Sequence, residues 1–336
     1  MVSCRSGIAR SEEQCVYVRY CTTSEMPIYL CYQCFGDLSK GLPAVLLIAG
    51  MNMQLCAWDD SFCEMLAEKG FFVIRFDNRD IGHSTKIEKR GSVVPTRLLL
   101  PQCLAFGEQL PYSIADMAKD AIALLDVLGI DAAHLIGVSM GGMIAQTMAL
   151  MFPKYVLSLT SIMSTTNAPD LPEPTFMVKL KLLRRAPANC TVEKLVDFRI
   201  RVLKELLEGT KPVDEEYLRS RYLMSLNRSS YSDGIIRQAA AIRRCAGRDE
   251  SLRLLKCAAL VIHGEKDVLI PVAHGIRTAA VIPRAKLVVI PDMGHYFHQD
   301  FFEEVVKHFV DVTRSSVKES EPAPVLPCAS SLSGIN

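Results

Sequence analysis

A chain of 336 residues with 49% hydrophobic and 22% charged residues has an ordinary globular composition, which excludes collagen-like repeats and extended disorder. Its 38 Lys and Arg against 37 Asp and Glu leave a formal net charge of +1, so no global field exists to hold a polyanion and nucleic acid is not expected as a partner. The length exceeds a typical domain but fits one α/β core carrying an insertion.

Residues 1–23 read as an N-terminal lead-in whose first positions carry charge without an apolar run behind them, unlike a secretory signal. The 12 cysteines lack the dense spacing of a small secreted domain; a cytoplasmic protein with free thiols is expected. Segments 14–21 and 27–34 alternate apolar and polar residues around a turn-like Thr22-Thr23-Ser24-Glu25, which predicts an antiparallel hairpin. Cys31 and Cys34 have the spacing of half a zinc site or a redox pair, but no second pair matches them and they fall inside the alternation. They are read as strand residues.

From there the pattern changes to short apolar runs, 44–49, 71–76, 134–138, 156–162, 259–262 and 287–290, separated by helix-length segments. Such runs are the signature of parallel strands covered on both faces, so the fold class is α/β with a mostly parallel central sheet flanked by helices. The best-marked helix is 113–129, where Ser113 and Asp116 resemble a capping box and Gly129 is the stop. The run 137–152 is too short for the roughly 20 residues of a membrane span and reads as a buried helix, so no transmembrane segment is expected.

Between 162 and 259 lie helical patterns at 192–207, 215–226 and 234–245 with no convincing strand, which predicts a helical cap over 166–256 inserted between core segments 24–165 and 257–314. The cap holds 18 Lys or Arg against 12 Asp or Glu and is the basic part of the chain. Its segment Lys179-Leu-Lys-Leu-Leu-Arg184-Arg185 has the composition to touch anionic lipid or an acidic substrate, although a solvated helix face is the simpler reading. The stretch 315–336, rich in Ser, Pro and Glu, reads as a disordered tail.

The decisive stretch is His134-Leu-Ile-Gly137-Val138-Ser139-Met140-Gly141-Gly142, a strand that enters Gly-x-Ser-x-Gly and then a helix. It resembles the nucleophile elbow of the α/β-hydrolase superfamily, with Ser139 as nucleophile. A serine hydroxyl needs a histidine to take its proton and an acid to orient that histidine, and the resemblance implies that both follow at the ends of later strands. Asp267, in the loop after 259–262, is the candidate acid, and His295, in the turn after 287–290, is the candidate base. Rivals are Asp170, Glu265 and Asp292 for the acid, and His263 and His298 for the base. The resemblance also implies an oxyanion hole made by the Met51 and Met140 backbone amides; many relatives have His-Gly where this chain has Ala49-Gly50. Asn52 is a candidate for the acyl pocket, and Trp58, the only tryptophan, is a candidate for the pocket or the core.

The resemblance extends over roughly 24–312. Segments 49–60 and 73–84 are similar to the branch containing aclacinomycin methylesterase, whose Gly-Asn and Asp-x-Arg-x-x-Gly-x-Ser loops map onto Met51-Asn52 and Asp77 to Ser84, with Met51 in place of the usual glycine. This implies a serine hydrolase for carboxylic esters, often a small alkyl ester on a bulky acid, with Asp77 and Arg79 bracing a loop. Met51, Met53, Met140 and Met143 favour an adaptable pocket and a largely apolar small-molecule ester. No metal or organic cofactor is required. Lipase, thioesterase and C–C hydrolase chemistry can use the same triad, and a non-catalytic ligand binder of this fold is the alternative from another class.

Overall fold

The structure is a computed structural model that describes residues 7–87, 110–182, 184, 186 and 190–320, the side chains of 315–320 excepted. Eight strands form one sheet: β1 Gln14–Cys21, β2 Met26–Phe35, β3 Ala44–Ile48, β4 Phe72–Phe76, β5 Ala133–Val138, β6 Val156–Ile162, β7 Ala258–Gly264 and β8 Lys286–Ile290. Their spatial order is β1-β2-β4-β3-β5-β6-β7-β8. The β1/β2 and β2/β4 pairs are antiparallel and the rest are parallel. The expected hairpin therefore makes one edge of the sheet, and the lead-in contributes its outermost strand.

Ten helices follow in chain order: α1 Asp60–Glu68, α2 Ile114–Val127, α3 Met140–Met151, α4 Phe176–Leu182, α5 Val192–Leu206, α6 Glu215–Arg228, α7 Gly234–Arg244, α8 Asp249–Leu252, α9 Ala273–Val281 and α10 Phe302–Ser320, as far as the described residues go. Strands β3, β4 and β5 are buried at every position because helices cover both sheet faces. On one face Leu46, Ile48, Ile74 and Leu135 pack with α2 and α3. On the other, Val45, Leu47, Val73 and Ile136 pack with Phe62 and Leu66 of α1 and Val305 and Phe309 of α10. Alternate residues of each strand thus serve opposite layers.

Helix α2 starts at a complete capping box between Ser113 and Asp116, and Gly129 beyond its end has φ +68°. The run 137–152 is divided, the end of β5 and the Ser139 turn preceding α3, because Gly137 packs directly against the Gly141 backbone. Among the described residues no helix is long and apolar enough to cross a membrane. Helix α10 continues to Ser320, past the boundary drawn at 314, so the stretch 315–320 read as disordered is helical; 321–336 lie outside the described residues. Of the basic segment at 179–185, Leu183 and Arg185 also lie outside them. Lys179 pairs with Glu173, Lys181 Nζ donates to the Glu205 carbonyl at 2.9 Å, and Arg184 forks onto the Glu205 carboxylate at 2.7 and 2.8 Å. These cations already have protein partners, which favours the solvated-face reading.

Candidate active site

The site begins at the turn between β5 and α3. Ser139 has φ +54° and ψ −120°, a conformation that a non-glycine residue holds only when its surroundings enforce it. Its N–H donates to the Ile162 carbonyl at 2.9 Å, and its carbonyl accepts from the Ser164 hydroxyl at 2.7 Å and from Gly142 N–H at 2.9 Å. A Cβ on Gly141 would stand 2.0 Å from the Ile48 carbonyl oxygen, so glycine there is what lets the helix seat against β3.

His295 Nε2 lies 3.1 Å from Ser139 Oγ, and His295 Nδ1 lies 2.7 Å from Asp267 Oδ2. Asp267 is buried, and its Oδ1 accepts from the Leu269 and Ile270 amides at 2.9 and 2.8 Å. With the carboxylate accepting at Nδ1, the imidazole carries its proton there and turns the Nε2 lone pair toward the serine hydroxyl.

The rivals sit elsewhere. Exposed Asp170 pairs with Arg277, Asp292 accepts from Lys266 at 2.9 Å, and Glu265 is exposed in the loop. His263 is fully buried, donates Nε2–H to the Ile270 carbonyl at 2.7 Å and stands 3.6 Å from Asp267 Oδ2; burial pushes its pKa down, so it backs the acid as a neutral ring. His298 caps the turn before α10, its Nδ1 accepting from Asp300 N–H at 3.0 Å.

The loop after β3 closes on the same point. A Cβ on Gly50 would lie 3.3 Å from Ser139 Cβ, so Met51 follows beside the serine, while Met140 opens α3 and its N–H belongs to the unpaired first turn. Asn52, at φ +60°, donates its N–H to Gln238 Oε1 at 2.9 Å; Gln238 Nε2 donates to the Arg79 carbonyl at 3.0 Å, and Asn78 Nδ2 to the Ala49 carbonyl at 3.0 Å. Gln238, buried on α7, thereby ties the β3 loop to the β4 loop. Nothing in the sequence singled it out, although Arg237-Gln238 followed by alanines on one helix face marks a polar pair at a buried position.

Ser139 and His295 open into a cavity of about 290 Å³ at the carboxyl ends of the strands. Met51, Asn52, Met53 and Trp58 line it together with Leu203, Tyr217, Arg221 and Tyr222 from α5 and α6. Trp58 belongs to both environments, since it also stacks on Phe62 with ring centres 5.6 Å apart. Met140 and Met143, expected among the pocket methionines, instead pack in the core, because the helix face carrying them points at the sheet; Met163 lines the cavity. Asp59 is pushed up by burial, but the Arg221 charge and the Tyr217 hydroxyl at 2.7 Å outweigh this and hold it below the usual carboxylate range. Burial and the bond to Asp59 push the Tyr217 phenol up, so both partners keep their ordinary charge states at neutral pH. A larger groove of about 990 Å³, lined by Pro43, Phe71, His134 and Cys257, lies at the opposite, amino ends of the strands and contains none of the candidate catalytic residues. Ligands of open parallel sheets bind at the carboxyl ends, which favours the smaller cavity.

The Asp77 to Ser84 loop is a brace. Buried Asp77 accepts from Leu55 N–H at 2.6 Å, His83 N–H at 2.8 Å and Arg228 Nη2 at 2.7 Å. Arg79 forks onto Asp120 at 2.6 and 2.7 Å. A Cβ on Gly82 would stand 2.1 Å from Asp77 Oδ2, so that position requires glycine.

Comparison with known proteins identifies the family. The family model described as alpha/beta hydrolase fold matches residues 43–301. Rhodomycin D methylesterase DauP of Streptomyces sp. (strain C5) is 30% identical over 270 residues, covering 75% of this chain and 84% of its own length. A 2-hydroxy-6-oxononadienedioate/2-hydroxy-6-oxononatrienedioate hydrolase of Burkholderia vietnamiensis is 30% identical over 283 residues, covering 82% and 90%. Among solved structures, an esterase from Exiguobacterium antarcticum superposes with a TM-score of 0.63 at 20% identity over 86% of this chain and 96% of its own, a likeness of fold. The chain belongs to the α/β-hydrolase family and is a hydrolase of that fold.

Proposed function

We propose that the protein is a serine hydrolase acting on carboxylic ester bonds, of methylesterase or carboxylesterase type. The observation that carries this reading is the hydrogen-bonded line Asp267–His295–Ser139, with Ser139 Oγ 3.1 Å from the imidazole at the mouth of a mostly apolar cavity. His295 Nε2 takes the Ser139 proton as Oγ attacks the ester carbonyl, and Asp267 holds the tautomer and stabilises the imidazolium. The Met51 and Met140 amides face the developing oxyanion. His295 returns the proton to the departing alcohol; water, activated by the same imidazole, then releases the acid from the acyl-enzyme. Residues 166–256 act as the cap that shapes the pocket, and its modest volume fits a compact alkyl or acyl group with the remainder of the substrate outside. The relative named rhodomycin D methylesterase supports a methyl ester as the group cleaved.

The test compares wild type, Ser139→Ala and His295→Ala for labelling by a fluorophosphonate and for hydrolysis of p-nitrophenyl esters of increasing chain length. Loss of labelling in both variants, with turnover lowered by at least about 10³-fold and folding intact, is expected. Undiminished turnover in Ser139→Ala would sink the assignment. Tight ligand retention without turnover in wild type would point to a binder of this fold. The dienedioate hydrolase relative supports C–C bond cleavage as a second reading, to be tested by offering a methyl ester and a 2-hydroxy-6-oxodienoate side by side.

A further inference from the structure

Among the described residues outside the catalytic cavity, one group of side chains has the chemistry of a metal centre. Glu13, just before β1, Cys31 on β2 and His83 in the loop after β4 bring ligand atoms within 4.8 Å of one another. Glu13 Oε2 stands 3.4 Å from His83 Nδ1 and 3.6 Å from Cys31 Sγ. Ligands held about 2.0–2.3 Å from one tetrahedral ion must lie roughly 3.3–3.6 Å apart, so both separations already suit a shared ion.

The histidine tautomer strengthens the case. His83 Nε2 is 2.8 Å from the Arg228 carbonyl, which can only accept, so the ring proton of a neutral imidazole is on Nε2. The lone pair on Nδ1 then points at a carboxylate oxygen, another acceptor. A second ring proton or a metal ion between them joins the two acceptors. A histidine whose far N–H is fixed by a backbone carbonyl is also the usual arrangement of a metal ligand.

The fourth position of a tetrahedral ion falls to water. Cys15, the cross-strand register partner of Cys31, directs its Sγ to the His83 carbonyl at 3.9 Å and is outside this group. Arg228 donates to both Glu13 oxygens at 2.9 Å from Nε, to Oε2 also at 2.7 Å from Nη2, and to Cys31 Sγ at 3.4 Å from Nη2, contacts that hold the carboxylate and the sulfur in place. The Cys31 thiolate, the Glu13 carboxylate and the adjacent Asp77 carboxylate would balance Arg228 and a divalent ion, before the nearby Lys86 ammonium is counted.

We propose that Cys31, His83 and Glu13 form a zinc site, completed by water, that ties the N-terminal hairpin to the loop after β4, beside the Arg228 anchor of α6. The mixed sulfur, nitrogen and oxygen set suits tetrahedral Zn²⁺ better than the oxygen-seeking Mg²⁺ or Ca²⁺. It is not the Cys31-x-x-Cys34 pair that the spacing offered: Cys34 packs in the core while Cys31 belongs to a separate small cluster. The ion has no part in the ester chemistry.

The experiment uses the full chain, reduced with a phosphine, stripped by a chelator and titrated with Co²⁺ and then Zn²⁺. One equivalent of Co²⁺ gives sulfur-to-cobalt charge-transfer absorption with the d–d bands of a tetrahedral ion, and Zn²⁺ displaces it. His83→Ala, an exposed position that leaves the core intact, and Cys31→Ser each lower Zn²⁺ affinity more than about 100-fold, beyond the ~10–100-fold of losing an outer partner. Zn²⁺ raises the melting temperature of wild type and not of His83→Ala. The proposal is overturned by absence of the thiolate band in folded wild type, by unchanged affinity in His83→Ala, by loss of binding in Cys34→Ser with His83→Ala unaffected, or by a Cys15–Cys31 disulfide in protein kept with Zn²⁺.

Discussion

The parallel core and the helical insertion between β6 and β7 are held by different forces. In the core, β3, β4 and β5 are buried along their whole length, and the candidate catalytic groups hang from strand ends fixed by backbone hydrogen bonds and close glycine contacts. The insertion has a small cluster of its own centred on Val196, Ile200 and Leu218; its α7–α8 end adds Ala241, Leu252 and Leu255 to the main core, and α6 and α7 reach the core loops through discrete polar contacts. Arg228 meets Asp77 and Glu13, Arg237 meets Asp80, Arg221 meets Asp59, and Gln54 Nε2 donates to the Ser225 and Ser229 carbonyls. Packing of the first kind tolerates little change, since every neighbour must fit. Attachment of the second kind fixes orientation at a few points and leaves the pocket-lining residues between them free to vary. The candidate catalytic groups sit in the rigid part, and the cavity beside them is lined in part by the insertion.

The largest expected effect strikes the attachment. Arg237 forks onto buried Asp80 at 2.7 and 2.8 Å, and Arg237→Met leaves that carboxylate buried and unpaired, at a cost of about 3–5 kcal/mol. If the insertion is held as described, hydrogen exchange in α7 accelerates by about 10²-fold or more while protection of β5 and α3 stays near wild type. A loss spread evenly over both regions would erase the distinction between them.

Acid should test the core instead. His134 is buried at the start of β5 with Nδ1 2.8 Å from the Ser158 hydroxyl, and burial pushes its pKa down from 6.5 to about 4. The native state thus refuses a proton that the unfolded chain accepts. The stability this difference carries is fully present above pH 6.5 and is lost as pH falls from 6.5 through about 4. Between pH 7.5 and 4.5 the loss amounts to about 2.5 kcal/mol, and His134→Leu should show a urea-unfolding profile flatter by that amount. An equal pH dependence in the variant would place the acid sensitivity elsewhere, the ion-paired insertion included.

The smallest effect joins the two regions. Gln238→Ala removes the amide that fastens the Asn52 loop to Arg79, leaving the loop after β3 less firmly held beside Ser139. The expected result is a fall in kcat of several-fold, about 1 kcal/mol, with fluorophosphonate labelling of Ser139 slowed and melting temperature little changed. A fall confined to KM would mean that Gln238 shapes the pocket and not the oxyanion side.

Much of this was legible along the chain. The six parallel strands are short apolar runs, and the structure places each within about two residues of its expected ends, since burial on both faces leaves a mark that does not depend on distant partners. Ser139 was legible because its turn demands small neighbours at fixed spacing, and Asp267 and His295 because they follow strands in order. The dual position of Trp58 and the core placement of Met140 and Met143 were not, as a bulky apolar residue reads the same in either environment.

By itself the sequence determined the α/β architecture, the serine turn and the chain order of the groups that face it, because each rests on contacts within a few residues or on strand periodicity. Tertiary structure alone decided which helices line the cavity, that Gln238 holds a loop 186 residues away, and that Cys31 meets Glu13 and His83 while Cys34 turns to the core. Contacts between residues so far apart impose no local period and no fixed spacing. Only the folded chain, by bringing its strand ends and its insertion together, gives those residues their partners.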